Sequence, residues 1–288
     1  MRQIKFIPYL FISPFYIIFA AFMLGPILFA FYAGFTSWRL GSGLDFVGLA
    51  NYIELTKDPL FRTALFNTFY FTAVFIAIMM PTSFLLALAL NSALLRFSNF
   101  YRVIFFAPIT ASFIALAVVF DLMLHRDFGL VNLILRVIHL PGHIDWLRDS
   151  KYAMHSIIFM RLWRSMGYYT MIMLAGLQTV PRELYDAAKV DGAGMFRSIL
   201  HVTIPLMKPI FIFISIMSSI FSLQLFDEPW VLNQGGPSYA TLTMTIYLYR
   251  NGFSFHKLGY ASAISFVLTT IMFTLSLIQL RLVRGRRE

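Results

Sequence analysis

Six apolar segments, each long enough to cross a lipid bilayer, constrain this chain more than any other feature. They cover residues 7–35, 64–95, 103–124, 153–177, 206–226 and 260–282, and a hydrocarbon core ~30 Å thick takes ~20 helical residues. Inside that core every backbone N–H and C=O must be satisfied by the chain itself, which leaves helices or a closed barrel. A barrel needs segments of ~10 residues that alternate in polarity, and none occur here. The expected fold is an all-α integral membrane protein of six transmembrane helices, forming one domain over residues 1–288. Composition points the same way: 12% of residues are charged, where soluble domains carry about 25%.

Basic residues set the expected orientation. Arg2, Lys5, Arg96, Arg102, Arg182, Lys189, Arg197 and Lys208 fall at span ends facing one side, while Arg39, Arg62, Arg148 and Lys151 fall on the other. The positive-inside rule weights short flanks most, and Arg281, Arg284, Arg286 and Arg287 form the densest one. Both termini and the loop over 178–205 are therefore expected in the cytoplasm. The first apolar run follows Arg2 and Lys5 but far exceeds the ~7–15 apolar residues of a cleaved signal segment, so it is expected to remain as a span. A net charge of +10 would suggest nucleic acid in a soluble domain. Here the bases flank membrane segments, and no nucleic-acid partner is expected.

Several chemistries are excluded by what is missing. The chain has no cysteine, which removes thiolate metal sites, disulfides and cysteine nucleophiles. It has no G-x-x-x-x-G-K-[ST] phosphate loop, so it does not hydrolyse ATP by that route and is not expected to be an enzyme. His139 and His143 have a metal-like spacing, but Pro141-Gly142 breaks the helix that would align them, so no metal site is expected. Hydroxyls in the spans lack His or Asp partners at a recognisable spacing, which argues against an intramembrane hydrolase.

The segment 178–205 is a polar island between two spans. Pro181 suits a first helical turn, Glu183 complements the positive end of the helix dipole, and Gly192 permits a left-handed helix end. Beyond it, Phe196, Ile199, Leu200 and Thr203 follow the spacing of one apolar helix face. The small pair Ala187-Ala188 lets another surface approach closely. Two short helices broken at Gly192 are expected, acting as a handle for another protein; an ordinary inner loop is the plainer alternative.

Polar side chains also lie inside spans. Arg161 and Arg164, with Trp163 and Tyr168, sit ~12–17 Å below the outer end of the fourth segment at ~1.5 Å rise per residue. Each arginine costs ~3 kcal/mol at the bilayer centre unless paired or solvated. Either they snorkel or pair with Asp121 or Asp227, or they line a wet cavity and meet an anionic group. Ser218, Ser219, Ser222 and Gln224 in the fifth segment either bond neighbouring helices or contact a polar solute.

The loop carries a specific resemblance. Asp186-Ala187-Ala188, three residues, Gly192, nine residues, then Val202-x-Ile204-Pro205 resembles the EAA loop of permease subunits from bacterial ABC importers, with Asp in place of the usual Glu. Phe46-Val-Gly48, Asn51-Tyr52, Asn67-Thr68, Phe128-Gly129, Asn132, Trp163, Gly167, Leu177-Gln178, Gly235-Gly236-Pro237 and Gly259-Tyr260-Ala261 resemble the carbohydrate branch of that family, in particular the first of its two permeases. The resemblance implies a multi-pass protein of the bacterial inner membrane that works by alternating access on a sugar or sugar derivative. It implies a second permease subunit, two cytoplasmic ATPase subunits that bind ATP and Mg²⁺, and an external solute-binding protein, with no cofactor on this chain. Coupling is then implied for Glu183, Asp186, Ala187, Ala188, Asp191, Gly192, Phe196, Ile199 and Pro205. Asp186 would offer its carboxylate to the ATPase, Gly192 would permit the bend, and Phe196 and Ile199 would fill a docking groove. By region alone, the resemblance places substrate contacts among Arg161, Trp163, Arg164, Tyr168, Ser218, Ser222 and Gln224. Arg161 further suggests an anionic sugar or polyol phosphate in place of a neutral sugar. The competing class is an ion-coupled secondary transporter, which predicts inverted repeats and midplane carboxylates; Asp121, near one span end, is the clearest acid inside a span.

Overall fold

The computed structural model describes residues 7–92 and 96–284. Arg2, Lys5, Arg286, Arg287 and residues 93–95 at the end of the second expected span lie outside the described residues. The helices in order are α1 (Ile7–Phe19), α2 (Gly25–Ala33), α3 (Ala50–Lys57), α4 (Pro59–Asn91), α5 (Ser98–Thr110), α6 (Phe113–Met123), α7 (Leu130–Val137), α8 (Ala153–Gln178), α9 (Arg182–Val190), α10 (Met195–Ser198), α11 (Ile204–Leu223), α12 (Asp227–Asn233), α13 (Met244–Tyr249) and α14 (Leu258–Arg284). Wider π turns over Ala20–Leu24, Ile199–Thr203 and Arg250–Ser254 link some of them. No strand forms among the described residues, and one isolated bridge pairs Thr36 with Phe46.

Among the described residues, four helical stretches are long and apolar enough to cross a membrane: Pro8–Ala33, Pro59–Asn91, Met195–Asn233 and Leu258–Arg281. The third expected span is not straight. Helices α5 and α6 meet at 97°, because Ala111 and Ser112 are extended, with ψ of 146° and 128°. Pro108, which has no N–H to give the helix, weakens α5 just before this break. Counted as one crossing, the bent pair brings the total to five. Helix α8 covers the fourth expected span and has the length to cross. It is less apolar than the others because Arg161, Arg164 and several hydroxyls interrupt it.

The chain divides into two compact units. One contains the residues up to Arg62 with Tyr247–Thr270. Asp58 ties this unit together, accepting hydrogen bonds from the amides of Leu60 (2.9 Å) and Phe61 (3.4 Å) at the start of α4. It also accepts the hydroxyls of Tyr247 and of Tyr260, the latter at 2.6 Å. Asn51 donates to the carbonyls of Gly34 (2.8 Å) and Thr36 (2.9 Å), holding α3 against the turn that ends α2.

The other unit contains Thr63–Ile246 and the chain from Ile271. Its core gathers Phe71, Phe75 and Met79 of α4, Ile157 and Met173 of α8, and Met207 and Ile214 of α11. Helix α8 is the central element. Gly167 lets its backbone meet that of α5 so closely that a Cβ there would lie 1.8 Å from the Phe105 carbonyl oxygen. Gly176 makes the same kind of room for Ile210 of α11. The segment after α6 is organised by fully buried Asn132, which donates to the carbonyls of His125, Arg126 and Ile144 and accepts the Trp146 indole N–H at 3.0 Å.

Two outcomes test this packing. Gly167→Ala should lower the thermal midpoint of the detergent-solubilised protein, by the ~1–3 kcal/mol typical of overpacking, since the obstacle is rigid backbone. Gly194→Ala, where a Cβ meets nothing within 4 Å, should leave the midpoint unchanged. Burial raises the pKa of Asp58, but its bonds from Tyr247, Tyr260, Leu60 and Phe61 lower it more, and the net shift is downward. A carboxylate with a depressed folded pKa contributes stability above its unfolded value of about 3.9 and loses it as pH falls through the folded value. Stability against acid, followed by the thermal midpoint below about pH 4, should therefore fall less steeply in Asp58→Asn than in the native chain.

Candidate functional site

Two constellations stand out in the larger unit: the polar loop between α8 and α11, and a set of polar side chains on α8, α11, α12 and α14.

The loop begins where α8 ends at Gln178. Pro181 occupies the N-cap of α9, one residue earlier than a first-turn position, with Glu183 in the first turn. At the other end Asp191 is the C-cap, and Gly192 follows with φ +76°. The amide of Gly192 bonds the Lys189 carbonyl (3.0 Å) and that of Ala193 reaches back to Ala188 (2.8 Å). This pair of bonds is the Schellman closure of a helix, and it requires a left-handed residue. Gly194 caps α10, which passes through the π turn into α11, with Pro205 in the first turn of α11.

The π turn carries one residue more per turn than an α-helix, and it changes which side chains share a face. Phe196, Ile199, Leu200 and Thr203 do not form the single apolar stripe expected from their spacing. Phe196 is 75% exposed and Leu200 is exposed, whereas Ile199 packs on the core and Thr203 is buried. The Tyr185 hydroxyl lies 3.0 Å from that of Thr203 and links α9 to the turn. Ile199 thus faces inward and does not present itself with Phe196 for docking. The most exposed apolar groups of the loop are Val190, Met195 and Phe196. Asp186 is exposed and pairs with Lys189 at 3.1 Å; Ala187 is exposed and Ala188 half-buried. A cavity of about 330 Å³ beneath the loop is lined by Leu88, Asn91, Tyr185, Lys189, Met195 and Ile199, among others.

In the second constellation Arg161 meets neither Asp121 nor Asp227. Its Nη1 lies 2.5 Å from Oε1 of Glu228, in the first turn of α12. The expectation failed by one residue: Asp227 is exposed, and the helix beginning there turns Glu228 inward, to 1% exposure. Arg164 lies over the Phe113 ring at 5.7 Å, and its buried Nε has no hydrogen-bond partner. Arg161, Arg164 and Tyr168 share a stripe of α8, by their spacing of three and seven residues. Trp163 stands off that stripe, packed on Phe120 at 5.5 Å. Ser218 and Ser222 are fully buried; Ser218 bonds its own helix at Ser215, and the Ser222 hydroxyl has no partner. Gln224 forms the exposed C-cap of α11, within the crossing stretch Met195–Asn233.

Two members of this constellation were not anticipated. Glu228 lies in what reads as a loop after the fifth apolar segment. Gln279 of α14 donates to Ser219 (2.8 Å) and Ser215 (3.3 Å) of α11. A lone amide inside the last apolar segment was a visible signal for Gln279; nothing local distinguished Glu228 from Asp227.

Residues 71–288 match the model of the family described as binding-protein-dependent transport system inner membrane component. The chain belongs to this family. It is 36% identical to the arabinooligosaccharides transport system permease protein of Bacillus subtilis over 96% of this chain and 88% of that one. It is 37% identical to the lactose transport system permease protein of Rhizobium radiobacter over 97% of this chain and 94% of that one. A solved structure of a bacterial alginate ABC transporter, in complex with an alginate pentasaccharide-bound periplasmic protein, superposes with a TM-score of 0.84 at 21% identity, covering 94% of this chain and 91% of that chain. That likeness establishes the permease fold. The relatives are permease subunits, and ATP hydrolysis in such importers belongs to separate subunits.

The loop geometry of this permease is testable by itself. Gly192→Val should cost about 1–2 kcal/mol, the left-handed penalty of an L-residue. Amide exchange at Ala193, whose bond to Ala188 depends on that turn, should accelerate. Gly194→Val, at φ −69°, should not accelerate it.

Proposed function

We propose that this permease carries a sugar or sugar derivative across the bacterial inner membrane by alternating access. In this reading it has six spans, with α8 and the bent pair α5–α6 completing the set, and both termini lie in the cytoplasm. A second permease, two ATPase subunits holding ATP and Mg²⁺, and an external solute-binding protein complete the importer. The observation that carries the reading is the loop: a polar helix closed by left-handed Gly192 and flanked by exposed Val190, Met195 and Phe196. Exposed apolar groups clustered on a polar segment suit a protein partner. Asp186, with Glu183 and Asp191, supplies acceptors for that partner, Ala187 and Ala188 allow close approach, and Phe196 inserts. Ile199 and Pro205 support the loop from beneath. The sugar class rests on the relatives named for arabinooligosaccharides and lactose. An ion-coupled secondary transporter is disfavoured by membership in a family described as binding-protein-dependent.

The premise for an anionic substrate weakens once Arg161 is seen beside Glu228. The ion pair gives Arg161 a partner within the protein.

The test is co-expression with the neighbouring importer subunits and reconstitution in vesicles. Asp186→Lys should reduce co-purification of the ATPase subunits at least several-fold, and Phe196→Ala should reduce ATP-driven uptake of radiolabelled sugar with insertion unchanged. Native-level uptake and co-purification in both variants would overturn the coupling role of the loop.

A further inference from the structure

We propose that Glu228 is a specificity-determining residue: by neutralising Arg161 it restricts the path to uncharged saccharides. The inference rests on the sugar-permease reading above and adds the charge class of the substrate.

Arg161 lies eight residues into α8, ~12 Å from the start of that helix. Its side chain retains 18% exposure, while that of Glu228 retains 1%. A carboxylate with so little exposure is not placed there to meet solvent or solute. A buried charge demands a counter-charge, and the Nη1–Oε1 contact of 2.5 Å supplies it for both groups. The formal charges of the pair cancel. The alternative acids do not compete: Asp121 and Asp227 are both exposed and neither contacts Arg161.

Arg164, one turn further along α8, is committed differently. Its guanidinium lies over the face of Phe113 on α6, an arrangement that satisfies a cation without any anion. Between them, the carboxylate and the ring occupy both arginines with partners from the protein. What remains on offer along this stripe is hydrogen bonding and aromatic surface: Tyr168, half-open and edge-on to Tyr169, and the terminal Arg161 N–H groups not turned to Glu228, its Nε being buried. That inventory matches hydroxyl groups and a sugar ring. A carboxylate or phosphate on the solute would meet a guanidinium whose charge Glu228 already offsets, and drawing Arg161 away from Glu228 would leave a carboxylate buried and unpaired, which is strongly unfavourable.

Saturation-transfer NMR on the purified importer complex in nanodiscs tests this, since it reads weak binding directly. The probes are glucose, glucuronate and protonated glucosamine, which share one ring and differ in charge. In the native complex glucose should give the strongest response. Glu228→Gln leaves a lone cation and should raise glucuronate relative to glucose by roughly tenfold, a modest charge–charge contribution. Arg161→Gln leaves a lone carboxylate and should raise glucosamine relative to glucose by a similar factor. This second variant keeps the test available should Glu228→Gln fail to assemble. The double variant, neutral at both positions, should restore the native order. A purely structural role for the pair would move all three probes together. Unchanged ratios in the single variants, or a native preference for glucuronate, would overturn the assignment to Glu228 while leaving the sugar reading standing. Absence of binding by all three probes to the native complex would overturn the inference, and absence of binding by lactose and arabinooligosaccharides as well would overturn the sugar reading.

Discussion

The close approach of α8 and α5 at Gly167 is the constraint on which the larger unit depends. With no side chain between the two backbones, α8 is drawn into the middle of that unit, and most of its residues are buried against other helices. This explains why the least apolar of the long helices is also among the most buried. A helix wrapped in protein can carry Arg161, Ser165 and Thr170, because neighbouring groups rather than lipid surround them; Ser165 and Thr170 each bond a carbonyl of their own helix. The same side chains on α1, whose most apolar stretch buries nothing, would face hydrocarbon with no such relief.

The central position of α8 also shapes what the loop can transmit. Only Thr179–Pro181 separates α8 from α9, and no loop at all separates the π turn from α11. The Tyr185–Thr203 contact joins the two ends of the segment, and Ile199 plugs it into the core. A displacement of α9 is therefore passed to α8 and α11 together, the two helices that bear most of the proposed pathway residues. The Schellman closure at Gly192 keeps α9 a discrete rigid piece, so a push at Asp186 moves a helix instead of unravelling one.

Much of this was legible in the sequence, and the exceptions share a cause. Apolar run lengths located the long helices because the bilayer fixes length so tightly, and the left-handed Gly192 followed from its place at the end of a short amphipathic segment. Helical periodicity then misjudged Ile199, which opens the π turn and packs on the core while Phe196 stays outside. Pro108 was visible, yet the bend came only at Ala111 and Ser112, where backbone angles and not residue types record it. Glu228 was the deepest omission. Choosing it over Asp227 depends on where a short helix begins and which way its first turn points, and that is decided by packing of α12 against α6 and α8.

Two ion pairs in this chain show how far environment governs the meaning of the same chemistry. Asp186 and Lys189 lie 3.1 Å apart with both side chains about 70% exposed. Water screens them, the pair contributes little, and either partner is free to exchange for a group on another protein. Arg161 and Glu228 are charges of the same kind, but one is almost wholly buried and neither can be released without stranding the other. Burial makes the second pair a poor source of net stability, because desolvation offsets most of the attraction. Its persistence inside a helix that could have been plainly apolar is therefore not accounted for by stability alone. A function that needs polar N–H groups at that depth without a net charge does account for it: the arginine supplies the donors, and the glutamate removes the charge that would otherwise come with them.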